Sequence, residues 1–181
     1  MQELRKQSGS AARALEFLVL TAARTGEVLG ARPAEIDRRE KAWTVPADRM
    51  KGETEHVVPL SMRALELTEG GSAHYLFPGQ HPEKPLSNMA MLMLLERMGY
   101  GQVTVHGFRS TFKDWARDRT NFENYVSEAA LAHVVGDKVE KAYARSAVLE
   151  KRGKLMKAWA QYCASKPVPT KTDNVVTMRS A

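Results

Sequence analysis

Apolar and polar positions follow two periods along this chain. Between positions 10 and 24, Leu15, Leu18, Val19 and Ala22 recur at the spacing that lines one face of an α-helix. Gly26 follows as a natural C-terminal stop, which predicts that Arg24 lies at the end of that helix. A short helical piece is predicted over 27–31, ended by Pro33, whose ring cannot continue a helical hydrogen-bond ladder. The pattern then changes to β-like runs at 42–46 and 56–60. The polar stretch 47–55 joining them, with Lys51 and Gly52, reads as the loop of a small hairpin that presents a lysine.

Helical patterning returns with Ser61, an N-cap for a helix to about 67, and breaks at Gly70 and Gly71 before a short extended stretch at 75–77. Ser87 is expected to cap a helix over 88–98, whose methionines and leucines read as core packing. After a linker at 99–104, helices are predicted over 106–117, 128–133, 138–145 and 148–162. In the last, Leu155, Trp159 and Tyr162 are expected to share one buried face. The polar segment 164–181, with Pro167 and Pro169, is expected to form a flexible tail behind a domain spanning 1–163. The fold class this pattern implies is mainly α with a small antiparallel β-sheet, an α+β domain. The βαβ rhythm of a doubly wound nucleotide-binding fold is missing from it.

With 181 residues, 43% hydrophobic and 27% charged, the chain suits one domain with a real core, without disulfides or metals. No apolar run approaches the roughly 20 residues a bilayer crossing needs, and the first ten residues lack a signal-peptide stretch. A cytoplasmic protein without membrane contact is therefore expected, and the single Cys163 excludes an internal disulfide. The formal charge of +6 points to an anionic partner, nucleic acid first. Nucleotide chemistry has no support, because neither GxxxxGK[ST] nor GxGxxG occurs. His56, His74 and His81 lie at loop or strand-edge positions without metal-like spacing, so no metal is expected.

Chemistry gathers in separate pieces. In His106-Gly107-Phe108-Arg109 the imidazole and guanidinium stand three residues apart, on one helix face, with Phe108 turned toward the core. In Leu131-Ala132-His133, followed by Gly136, Asp137 and Tyr143, a histidine at a corner precedes a tyrosine on a short helix. Ala23-Arg24-Thr25-Gly26-Glu27 carries an arginine at a helix terminus. Each piece alone also fits an ordinary structural part: a solvated pair, a half-buried core tyrosine, a capping charge.

Taken in order, ARTGEVLGAR, a hairpin lysine, HGFRSTF and LAHVVGDKVEKAYAR resemble the tyrosine recombinases, particularly the integrases of phages and genomic islands. The resemblance covers about residues 11–159. It implies that Arg24 and Arg109 clamp the scissile DNA phosphate and that Tyr143 is the nucleophile. It makes Lys51 the general acid, gives His106 and His133 hydrogen bonding and proton transfer, and leaves Glu27 to orient the site. The residue types suit the reaction. Guanidinium donors stabilise charge on phosphate oxygens without a metal, cations favour an ionised phenol, and a protonated lysine suits a poor alkoxide leaving group. A phosphotyrosine ester conserves the bond energy, so no cofactor and no ATP are implied.

The implied partner is double-stranded DNA, with affinity falling steeply as salt rises. A tetramer on DNA is implied, with a monomer in solution and accessory DNA-bending proteins as further expectations. Two departures from the family stand out. Pro33 occupies a position where many relatives have tryptophan, and the N-terminal DNA-clamping domain of a complete recombinase is expected to be absent from this chain. Relaxation of supercoils in the manner of a type IB topoisomerase, and a DNA-binding fragment without activity, stay open as alternatives.

Overall fold

The computed structural model describes residues 1–133 and 145–166. The expected helix over 138–145, except Arg145, and most of the expected tail lie outside the described residues. The order is α1 (Gln2–Arg5), α2 (Ser10–Thr21), α3 (Thr25–Leu29), β1 (Ile36–Asp37), β2 (Ala42–Val45), β3 (His56–Pro59), α4 (Met62–Leu67), α5 (Ala90–Arg97), α6 (Gly107–Arg119), α7 (Asn124–Ala130) and α8 (Arg145–Ala164). Helices dominate and one antiparallel sheet, β1-β2-β3, accompanies them, the mainly α architecture that the periodicity predicted. The hairpin pairs Trp43 with Val58 and Thr44 with Val57. Strand β1 was not foreseen, since two residues are too short to display a period.

Helix α2 is the centre of the molecule. Ala14, Leu15 and Phe17 are completely buried, with Leu18, Val19 and Leu20 at 3% exposure or less, so the helix is apolar nearly all round and has neighbours on every side. Phe17 packs its ring 5.2 Å from Trp43 of the sheet and 5.3 Å from Phe77. At the opposite side α8 docks through Trp159, whose indole N–H donates to the Val19 carbonyl at 2.7 Å. Phe112 and Trp115 of α6 complete an aromatic cluster around Trp159, at 5.5 and 5.0 Å.

Several boundaries differ from the sequence reading. Helix α2 stops at Thr21, because Ala22 turns left-handed at φ 51°, and Gly26 lies inside α3 instead of ending α2. Arg24 is therefore the N-cap of α3 and not the last residue of the preceding helix. The stretch 75–77 forms no strand; it is tied to the body where the Leu76 N–H donates to the Ala31 carbonyl at 2.9 Å. Helix α7 begins at Asn124 and ends at Ala130, leaving His133 beyond it.

Side-chain burial differs too. Met91 is fully buried on α5, but Met89 and Met93 are exposed at 52% and 44%, so the methionine stripe is only partly core. On α8 the buried face continues from Leu155, Met156 and Trp159 to Cys163, whereas Tyr162 is half exposed. It stacks on Trp159 at 5.6 Å from the rim of the aromatic cluster.

Candidate active site

The site begins where α2 ends. The left-handed turn at Ala22 reverses the chain and leaves the Ala22 carbonyl pointing away from the helix, where Arg109 Nη1 donates to it. Two residues later Arg24 takes an extended conformation, φ −78° and ψ 151°, and opens α3. Glu27, 5% exposed, serves this corner with both oxygens. Oε2 accepts the Arg24 backbone N–H at 2.8 Å, satisfying a first-turn donor, and Oε1 accepts Arg24 Nη1 at 2.8 Å. One carboxylate thus caps the helix and fixes the arginine's guanidinium.

Arg109 lies in the first turn of α6 and is 6% exposed. Its described partners are both carbonyls, Ala22 through Nη1 and Leu131 through Nη2 at 2.8 Å. It therefore joins the end of α2 to the segment following α7. Burial and then the neighbouring Arg24 charge pull the Arg109 guanidinium down to about 10, with Glu27 acting the other way. It remains a cation at neutral pH. The two arginines, 85 positions apart in sequence, lie close enough for their charges to act on each other, and Glu27, bonded to Arg24, acts on Arg109 only through its charge, so this corner holds more positive than negative charge.

The remaining predicted residues are placed less tightly. His106 is the N-cap of α6 with its side chain exposed and making no capping bond, and the Thr104 hydroxyl instead accepts the Gly107 N–H at 3.1 Å. His106 and Arg109 accordingly differ in exposure, despite their helical spacing. His133 follows Leu131 by two positions, and its Nδ1 lies 2.5 Å from Glu128 Oε2. Lys51 is exposed in the hairpin loop. That loop is anchored by Arg49, which donates to the Glu27 carbonyl at 3.2 Å and pairs with Glu35 at 2.5 Å. Arg49 crosses so close to α3 that a Cβ on Gly30 would stand 2.5 Å from its Nη1, so a side chain there would displace the guanidinium tip. Tyr143 lies outside the described residues.

Two residues at this corner went unrecognised in the sequence. Arg152 of α8 is 8% exposed, and its Nη2 donates to the Val57 carbonyl and approaches His56 Nε2 at 3.2 Å. His56 Nε2 also lies 3.3 Å from the Ala130 carbonyl. Burial, then Arg152, pushes His56 down to about 4, with Glu27 and Arg24 near enough to add smaller opposing effects. Burial alone pulls Arg152 down to about 10. A signal for Arg152 was legible: it stands three, four and seven residues before Leu155, Met156 and Trp159, on their apolar face.

The fold is similar to that in the crystal structure of XerA recombinase, with a TM-score of 0.53 over 87% of this chain and 64% of that one, at 15% sequence identity. That comparison speaks to architecture, a helical domain with a small sheet. A phage integrase family model matches residues 1–150, and the chain belongs to that family, the integrases among the tyrosine recombinases. It is 37% identical over 153 residues to prophage integrase IntZ of Escherichia coli (strain K12), covering 81% of this chain and 38% of that protein. It is 40% identical over 149 residues to prophage integrase IntA of the same organism, 78% and 36% covered. Identity to the integrase of Shigella phage Sf6 is 31% over 167 residues, 84% and 42% covered. The chain thus spans well under half the length of these curated relatives.

Proposed function

We propose that this chain carries the DNA breaking-and-rejoining site of a site-specific recombinase. The phenol oxygen of Tyr143 attacks a backbone phosphorus and the bond from phosphorus to the 5′ oxygen breaks, which leaves a 3′-phosphotyrosine and a 5′-hydroxyl. The phenol proton passes to His106 or His133, and Lys51 protonates the departing oxygen. Arg24 and Arg109 hold the non-bridging oxygens, and Glu27 keeps Arg24 in place. Attack by the 5′-hydroxyl of a second strand on the phosphotyrosine reverses these steps and completes exchange. The partner is double-stranded DNA, held by a tetramer in the prokaryotic cytoplasm.

The observation that carries this reading is the seat of Arg109 on the Ala22 carbonyl, beside an Arg24 held by Glu27. A buried guanidinium bonded to carbonyls keeps its full charge available, and a dianionic pentacoordinate phosphorus matches that field. The test uses a duplex nicked beside the cleavage site, so that the freed strand diffuses away. Wild-type chain is expected to trap a covalent protein–DNA adduct and Tyr143→Phe to trap none. An adduct persisting in Tyr143→Phe would refute the assignment, and relaxation of plasmid without a recognition sequence would favour topoisomerase action.

A further inference from the structure

We propose that Glu128 is the positioning residue of His133, taking up the imidazole's Nδ1–H and leaving Nε2 as the nitrogen that faces the reacting phosphate. The catalytic consequence rests on the function proposed above. The placement follows from how α7 ends.

Ala132 adopts the left-handed conformation at φ 52°, the Ala132 N–H donates to the Ala129 carbonyl at 3.2 Å, and the His133 N–H donates to the Glu128 carbonyl at 3.0 Å. This pair of bonds is the Schellman ending, which folds the residue two beyond the cap back over the last helical turn. The side chains so juxtaposed are usually apolar. Here they are Glu128 and His133, with Oε2 and Nδ1 2.5 Å apart.

Glu128 is itself fixed. An ammonium has three N–H donors, and for Lys113 of α6 the acceptors are Asn124 Oδ1 at 2.5 Å, Ser127 Oγ at 2.8 Å and Glu128 Oε1 at 2.6 Å. Lys113 lies one helical turn after Arg109, which donates to the Leu131 carbonyl. Helix α6 therefore holds the segment bearing His133 at two points, each on the same face as the buried arginine.

Lys113 foremost, then His133, keep the Glu128 carboxyl below its ordinary range, so at neutral pH it only accepts. The Nδ1 contact must then be donated by the ring. In the neutral imidazole Nε2 carries the lone pair, the form able to take a phenol proton.

Nitrogen-15 correlation spectra of the full chain at pH 8 read the tautomer directly. The Nδ1–H form is expected for His133 in the wild type, and Glu128→Ala is expected to revert to the Nε2–H form that free histidine prefers. On the nicked duplex, Glu128→Ala should slow adduct formation by about 10- to 100-fold, the range seen when a metal-bound histidine loses its carboxylate partner, with DNA affinity unchanged. Glu128→Ala/His133→Ala should be no slower than His133→Ala, because one mechanism is lost once. Glu128→Met preserves the packing of the stem and replaces alanine if that variant does not fold. An unchanged tautomer in Glu128→Ala, or losses that multiply in the double variant, would overturn the role of Glu128. A wild-type rate in His133→Ala would instead refute the catalytic reading of the site, leaving the tautomer to decide the pairing.

Discussion

Replacing His56 by glutamine should remove much of the molecule's sensitivity to mild acid. His56 stands on β3 with Nε2 against the Ala130 carbonyl and Arg152 Nη2, and Arg24 and Glu27 also act on it. Its folded-state value falls from 6.5 to about 4. Between those values the unfolded chain binds a proton that the folded chain refuses, so stability is full above pH 6.5 and is lost as pH falls toward 4. At about 1.4 kcal/mol per pH unit the whole effect is about 3.5 kcal/mol, of which about 2.5 kcal/mol is gone by pH 4.5. A glutamine amide can donate to the Ala130 carbonyl and accept from Arg152, but does not titrate.

The assay is urea unfolding followed by tryptophan fluorescence at pH 7.5 and 4.5, in wild type and His56→Gln. Carboxylates titrating in the same window contribute equally to both proteins and cancel in the difference. Wild type is expected to lose about 2.5 kcal/mol more than the variant between the two pH values. Parallel losses, within about 0.5 kcal/mol, would refute the claim that His56 is held neutral, half-buried against Arg152.

Trp159→Ala removes a side chain 2% exposed, its bond to the Val19 carbonyl and the centre of the aromatic cluster. A cost of about 3 to 5 kcal/mol is expected, read as a lower urea midpoint with unchanged slope. Ala22→Gly places the residue that favours left-handed backbone where alanine now sits at φ 51°, and should raise stability by about 0.5 to 1 kcal/mol in thermal melts. A fall in melting temperature would show that the buried Ala22 methyl contributes more than its left-handed backbone costs.

The corner holding Arg24 and Arg109 links stability to the activity proposed above. Arg109 bonds carbonyls from two chain segments, so it fixes the backbone as well as offering charge. Truncating it leaves buried carbonyls without donors, at about 1 to 3 kcal/mol for each. Stability and adduct formation should therefore fall together in Arg109 variants. In Tyr143→Phe, by contrast, only one hydroxyl is removed.

Periodicity sufficed to read the helical character, the hairpin and the helix faces around Leu15 and Leu155, because those signals repeat within a few residues and burial demands them. Motif order sufficed for the family, since ARTGEVLGAR, HGFRSTF and LAHVVGDKVEKAYAR each stand as short contiguous strings. The end of α2 was misplaced because alanine is a rare left-handed residue. Its conformation accompanies a carbonyl bonded to Arg109, 87 positions away. Only the tertiary structure placed His56 against Arg152, 96 positions apart, and brought Lys113 of α6 to Glu128 of α7. Local patterns encode which face of an element is buried, whereas the partner of a buried charge depends on which distant segment packs against it.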